Sequence, residues 1–289
     1  MISRESKSRQ SSVAKVEDSK GEIQSFLQTV GRAPQSLLML DFDGTLAPFR
    51  RDRMMAFPHP GISSLLQEIR AAGKTRIVIV SGRNATEIIP LLGIEPHLEV
   101  WGCHGLQRIK VDGSVKISAL DERTWTALLV AEEWLGVQQL QNAAEFKPGS
   151  IAVHWRGLSE NQAQDIGRRV MLGWAEIAQQ YGLDLLHFDG GVEIRSTRAN
   201  KGVAVRTLLG EMKSPVPAAY LGDDMTDEAA FATINGSGLS ILVRPEWRPT
   251  AAGLWLRPPR EVLDFLNRWL EACLEADDTS DSTSSEINA

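Results

Sequence analysis

Residues 76–80, Arg-Ile-Val-Ile-Val, carry an unbroken run of β-branched side chains after the arginine. A strand with one wet face alternates apolar and polar residues, so a run without alternation fits a parallel strand covered by helices on both faces. The neighbouring segments agree. Residues 36–40 (SLLML) are a short apolar run that stops at Asp41. Residues 61–72 place Ile62, Leu65, Leu66 and Ile69 on one helical face. Residues 84–92 read as a short helix and 98–101 as a third strand. This strand–helix–strand rhythm predicts a parallel α/β sheet.

The middle of the chain reads differently. Residues 107–117 resemble a hairpin with Asp112-Gly113 at its turn. Helices are expected over 122–140 and 161–181, and strands over 150–155, 183–188 and 192–195, the last two flanking Asp189-Gly190-Gly191. Such an α+β block is expected to be a domain inserted into the first. The α/β rhythm then returns, with helices at 201–209, 226–233 and 260–276 and strands at 218–221 and 239–243.

A chain of 289 residues suits one large domain or two of medium size, and 43% hydrophobic residues suffice for a sizeable core. The formal charge of -6 advertises no basic face, so nucleic acid is not an expected partner. Cys103 and Cys273 have no metal-ligand spacing and read as reduced thiols. The first twenty residues lack the apolar stretch of a secretory signal, and no window reaches the length of a membrane span. The expectation is a cytoplasmic protein with no membrane partner. Residues 1–20 and 277–289 are polar and charged, and both read as disordered tails.

In open parallel sheets, ligands bind beyond the carboxyl ends of the strands. Three polar clusters fall at such ends: Asp41 and Asp43, then Ser81-Gly82-Arg83, then Asp223 and Asp224. Repeated carboxylates there are costly unless a cation neutralises them, and all-oxygen ligands suit Mg2+. In extended chain, Asp41 and Asp43 point the same way. Gly44 lets the backbone turn, and the Thr45 hydroxyl has the chemistry to bind a phosphoryl oxygen. One carboxylate can act as nucleophile and the other as acid and base. Asp-Gly-Thr is also a common turn sequence. Ser81 or Asn84 also suits a helix N-cap. Lys201 opens a helix, where a cation runs against the dipole; it reads as a phosphate ligand or as an exposed lysine. Gly222 to Glu228 holds more acids than capping requires.

These clusters, in this order, resemble the haloacid dehalogenase-like phosphatase superfamily. The carrying residues are Asp41 to Thr45, Ser81, Lys201, and Gly222 to Asp227. A narrower resemblance, to the trehalose-6-phosphate phosphatase family, rests on VSGR at 80–83, GCHG at 102–105, Lys147, AVHWR at 152–156, GVEIR at 191–195, NKG at 200–202 and GDDMTDEAAF at 222–231. Trp155 stands where that family commonly has Tyr or Phe, and Ser196 where it has Pro.

The resemblance implies a Rossmann-like core over 21–106 and 196–276 with an α+β cap over 107–195. It implies Asp41 as nucleophile, Asp43 as acid/base, and Ser81 and Lys201 as further catalytic residues. Mg2+ would be held by Asp41, the Asp43 carbonyl and Asp223, with Asp224 and Asp227 behind them or reaching it through water. Thr45, Gly82, Arg83, His104, Lys147, His154, Arg156 and Glu193 would bind the substrate. The implied reaction is Mg2+-dependent hydrolysis of trehalose 6-phosphate through an aspartyl-phosphate. A sucrose or glucosylglycerol phosphatase, a mutase and an inactive sugar-phosphate sensor are the alternatives. A monomer with a functional link to a trehalose-6-phosphate synthase is expected.

Overall fold

The computed structural model describes residues 21–188 and 190–281, with side chains as far as residue 275. Its larger sheet has eight strands. The first part of the chain supplies helix α1 (21–32), β1 (Ser36–Leu40), α2 (Ile62–Ala71), β2 (Thr75–Val80), α3 (Ala85–Leu92) and β3 (Glu99–Gly102). The hairpin β4 (Gln107–Ile109) and β5 (Val115–Ile117) follows. The last part supplies α6 (Lys201–Glu211), β10 (Ala218–Gly222), α7 (Glu228–Ile234), β11 (Leu239–Val243), β12 (Leu254–Leu256) and α8 (Arg260–Asp281).

The sheet order is β12-β11-β10-β1-β2-β3-β4-β5, parallel from β12 to β3. The chain builds outward from β1 to one side through β2 and β3, then returns to the other side at β10. The switch of direction therefore falls between β1 and β10, where open α/β sheets carry their ligand crevice.

The apolar runs are continuous because alternate residues serve two cores. Leu38, Leu40, Ile77 and Ile79 pack under α1, α2, α3 and α8. Leu37, Met39, Val78 and Val80 pack against α6 and α7. Truncating one such leucine to alanine typically costs about 2–5 kcal/mol.

Between the two halves lies a second sheet, ordered β6-β7-β9-β8. Its strands are β6 (Ala144–Lys147), β7 (Ser150–His154), β8 (Asp184–Phe188) and β9 (Gly191–Arg195), all pairing antiparallel. One face carries Ile151, Val153, Val192 and Ile194 into a third core with α4 (Glu122–Gln138) and α5 (Glu160–Tyr181). Strand alternation turns Ser150, His154 and Glu193 to the opposite face.

The structure amends the sequence reading at several places. The hairpin expected at the start of the inserted unit pairs with β3 instead, with Val100 opposite Ile109, and extends the large sheet. The second sheet and its helices occupy 122–195. Strands β6 and β12 and helix α1 were not foreseen. Both strands are short edge strands, but α1 carries Ile23, Leu27 and Val30 at helical spacing. Backbone helix continues to Asp281 through residues expected to be disordered. The disorder expected of 1–20 and 282–289 lies outside the described residues, as does Asp189. Cys103 and Cys273 are both buried, and neither is in a disulfide. Among the described residues, no helix is long and apolar enough to cross a membrane.

Candidate active site

Asp41 follows the last residue of β1, and its amide donates to Leu221 O of β10 at 2.8 Å. This bond sets the ends of the two central strands side by side and brings Asp41 to Asp223. Gly44 is held at φ +78°, and a Cβ there would lie 2.2 Å from Asp223 Oδ2. Both the conformation and the approach demand glycine. Lys201 opens α6 behind Asn200, whose side chain accepts from the Gly202 amide. Of the two readings of this residue, the exposed lysine fails. Lys201 is 2% exposed, with Nζ 2.8 Å from Asp41 Oδ1 and 2.7 Å from Asp227 Oδ1.

Asp227 is fully engaged. Its Oδ1 also accepts from the Tyr220 hydroxyl at 2.5 Å, and its Oδ2 accepts from the amides of Asp223 and Asp224 at 3.1 and 3.0 Å. It therefore shapes the loop that presents Asp223. Carboxylate oxygens of Asp41, Asp223 and Asp227 lie within 4.8 Å of one another. Burial, then the charge of Asp227, push the Asp41 carboxyl up to about 7 despite Lys201. Burial and Asp41 push Asp223 well above the ordinary carboxylate range. One lysine cannot neutralise this cluster. With Asp227 saturated, Asp41 and Asp223 are the oxygens that face outward for a divalent cation, and hard carboxylate oxygens suit one.

Asp43, expected to work as acid and base, is gripped by Arg83. Arg83 Nε donates to Asp43 Oδ2 at 2.6 Å and Nη2 to Oδ1 at 2.5 Å. Ser81 is buried, and its hydroxyl accepts from the Arg83 amide at 3.2 Å. Gly82 lies against the His104 ring, where a Cβ would approach Cε1 to 2.5 Å. The Thr45 hydroxyl is fully buried with no hydrogen-bond partner, an orphaned donor beside the carboxylates.

The smaller sheet faces these groups. Glu193 receives Lys147 Nζ at 2.7 Å, His104 Nε2 at 3.1 Å and the Ser150 hydroxyl at 2.9 Å. Against its burial, Lys147 and His104 hold the Glu193 carboxyl well below the usual range. His154 Nε2 lies 2.9 Å from Glu145 Oε2, and the Arg156 guanidinium stacks 4.6 Å from the Phe49 ring centroid. A single cavity of about 150 Å³ brings Asp41, Asp43, Lys201 and Asp223 of the core together with Lys147, His154, Arg156 and Glu193 of the smaller sheet. Ser81, Gly82, Arg83, His104 and Asp224 also line it, while Thr45 and Asp227 are not among its lining residues.

Six lining residues were not among the expected site residues: Phe49, Arg50, Arg53, Glu145, Phe188 and Thr226. Phe49 and Arg53 belong to the loop after β1, and Glu145 to the unforeseen strand β6. Glu145 shares the short strand AEFK with Lys147, so its charge did not stand out there.

An open parallel sheet with a carboxylate-tipped central strand and an inserted α+β layer over it defines the haloacid dehalogenase-like hydrolase fold. A haloacid dehalogenase-like hydrolase from B. subtilis superposes with a TM-score of 0.56, over 80% of this chain and 98% of its own, at 16% identity. The C-terminal domain of C. albicans trehalose-6-phosphate phosphatase superposes with a TM-score of 0.74, over 86% of this chain and 96% of its own, at 20% identity. The family model for trehalose-phosphatase matches residues 39–254, and the chain belongs to that family. It is 28% identical to the trehalose-phosphate phosphatase of Mycobacterium marinum over 86% of its length, and spans 66% of that relative.

Proposed function

We propose that the protein hydrolyses trehalose 6-phosphate to trehalose and phosphate, with Mg2+ as its cofactor. The observation that carries this reading is the shared cavity. Asp41, Lys201 and Asp223 stand at its floor, and Lys147, His154 and Glu193 of the inserted layer form its roof. A phosphoryl group at the floor places its sugar against the roof, where carboxylate, ammonium and imidazole groups match sugar hydroxyls.

Asp41 attacks phosphorus through a carboxylate oxygen, and the bond from phosphorus to the sugar oxygen breaks. The proton of Asp43 passes to that sugar oxygen, giving the free alcohol and an aspartyl-phosphate. Water then attacks the phosphorus, its proton returns to Asp43, and phosphate leaves with Asp41 restored. Lys201 holds Asp41 in place and offsets charge, while Thr45 and Ser81 offer hydroxyl donors to phosphoryl oxygens. Mg2+ on Asp41, Asp223 and the Asp43 carbonyl would supply positive charge against the phosphoryl oxygens. Asp227 acts behind this set by fixing the Asp223 loop, and Asp224 flanks it at the cavity wall.

Arg83, Gly82, His104 and Arg156 complete the substrate surface in this reading. A monomer in the cytoplasm, receiving its substrate from a trehalose-6-phosphate synthase, is the setting we propose. The test is phosphate release from trehalose 6-phosphate with and without Mg2+, beside sucrose 6-phosphate. Equal release from both sugars would sink the substrate assignment, and release that persists in chelator would sink the metal.

A further inference from the structure

Asp43 cannot deliver a proton while both its oxygens are held by Arg83. That grip is itself anchored. The third donor of Arg83, Nη1, gives a hydrogen bond of 2.6 Å to the carbonyl of Arg53. Arg53 lies in the short 3-10 turn Arg53–Met55 of the loop after β1. Its guanidinium reaches in two directions, to Glu87 at the start of α3 at 2.5 Å and to Glu145 of β6. Glu145 is in turn bonded to His154 on β7. A continuous chain therefore runs from the inserted layer to the acid/base: His154, Glu145, Arg53, Arg83, Asp43.

The same contacts close the site. The cavity of about 150 Å³ is smaller than the ~300 Å³ at which pockets for drug-sized ligands begin. A disaccharide phosphate must displace some of what fills the gap. Glu145 and His154 stand in the cavity wall as hydrogen-bonding groups for hydroxyls, and any sugar that binds them competes with Arg53. A phosphate ester too short to reach β6 leaves the pair intact.

We propose that Arg53 and Glu145 form a clasp that substrate displaces. While closed, it seats Arg83 on Asp43; when a sugar takes over Glu145, the Arg53 turn shifts and Arg83 frees an Asp43 oxygen for proton transfer. Arg53 is thus a positioning residue that makes turnover depend on the far sugar. The proposal rests on Asp43 being the acid/base of the proposed reaction. It assigns selectivity against short phosphate esters to a contact outside the reacting atoms.

The experiment compares steady-state kinetics of Arg53→Ala, Arg53→Lys and the wild type on trehalose 6-phosphate and on glucose 6-phosphate, with Mg2+ present. Arg53→Ala leaves Glu145 and His154 in place. Its kcat on glucose 6-phosphate should rise by about fivefold or more while KM for trehalose 6-phosphate stays within about twofold. Arg53→Lys keeps a cation for Glu145 and should restore most of the discrimination. A parallel loss of kcat on both substrates would mean that Arg53 is merely structural and would overturn the clasp. If wild type releases phosphate from neither sugar, the functional reading fails. The clasp is then decided on p-nitrophenyl phosphate, whose second step still needs Asp43 as base: turnover must rise in Arg53→Ala, and an unchanged or lower rate overturns it.

Discussion

The ammonium of Lys201 lies 2.8 Å from Asp41 Oδ1 at a site where neither side chain is more than 5% exposed. The same cation meets Asp227 at 2.7 Å. Removing it leaves two buried carboxylates facing each other, and breaking a buried pair in this way costs about 3–5 kcal/mol. Lys201→Met should therefore lower the midpoint of thermal unfolding in the absence of metal. It should also lower kcat by about 10²–10³-fold, the usual loss when one group that stabilises developing charge is removed. Phosphate release and calorimetry on the same preparation check both. A stable, fully active variant would remove Lys201 from the site.

Asp41→Asn acts in the opposite sense on stability. The amide keeps the shape and deletes one charge from a cluster whose members raise one another's pKa. Turnover should fall by more than about a thousandfold, as for other essential nucleophiles. The metal-free protein should melt at the same temperature as wild type or higher. Activity within tenfold of wild type, or about that, would rule out the nucleophile assignment.

The raised carboxyls make stability and metal binding depend on pH. Asp41 titrates at about 7 in the fold against an ordinary value of 3.8. The folded protein therefore keeps a proton that the unfolded chain has already released. Stability from this source is complete below pH 3.8, declines as pH rises and is gone above about 7. A divalent cation reverses the preference, because it binds the ionised form and displaces the proton. Mg2+ should thus raise the melting temperature more at pH 8 than at pH 5. Equal increments at the two values would argue against ligation by Asp41.

What was legible in the sequence, and what was not, divides along physical lines. Strands β1 and β2 were legible because both faces are buried, so Leu37 and Leu38 are both apolar. The carboxylates were legible because strand ends at Asp41 and Asp223 carry more charge than turns or caps require. The hairpin β4–β5 was legible as a hairpin, but local pattern does not say which sheet it joins. That is decided by the pairing of β3 with β4, far from its turn. Lys201 taken alone also read as an exposed lysine, since its partners Asp41 and Asp227 come from the end of β1 and from the turn after β10. Arg53 and Glu145 were not legible. Each sits where a charged residue normally faces water, in a loop and on an edge strand, and only the stacking of the two layers makes them meet.

Gly44 offers a test in which geometry alone is changed. Its φ of +78° is strained for any residue with a Cβ, and the added methyl would collide with Asp223 Oδ2, 2.2 Å away. The backbone cost of a non-glycine residue in a sparsely populated region is about 1–3 kcal/mol, which a core of this size tolerates. The collision is not tolerated locally, because Asp223 sits on a loop pinned by the Asp227 carboxylate. Gly44→Ala should therefore fold, melt a few degrees lower, and lose both Mg2+-dependent stabilisation and phosphate release. Thermal melts with and without Mg2+ separate the two effects. A variant that keeps its Mg2+ increment would show that Asp223 is not held against Gly44 for the metal.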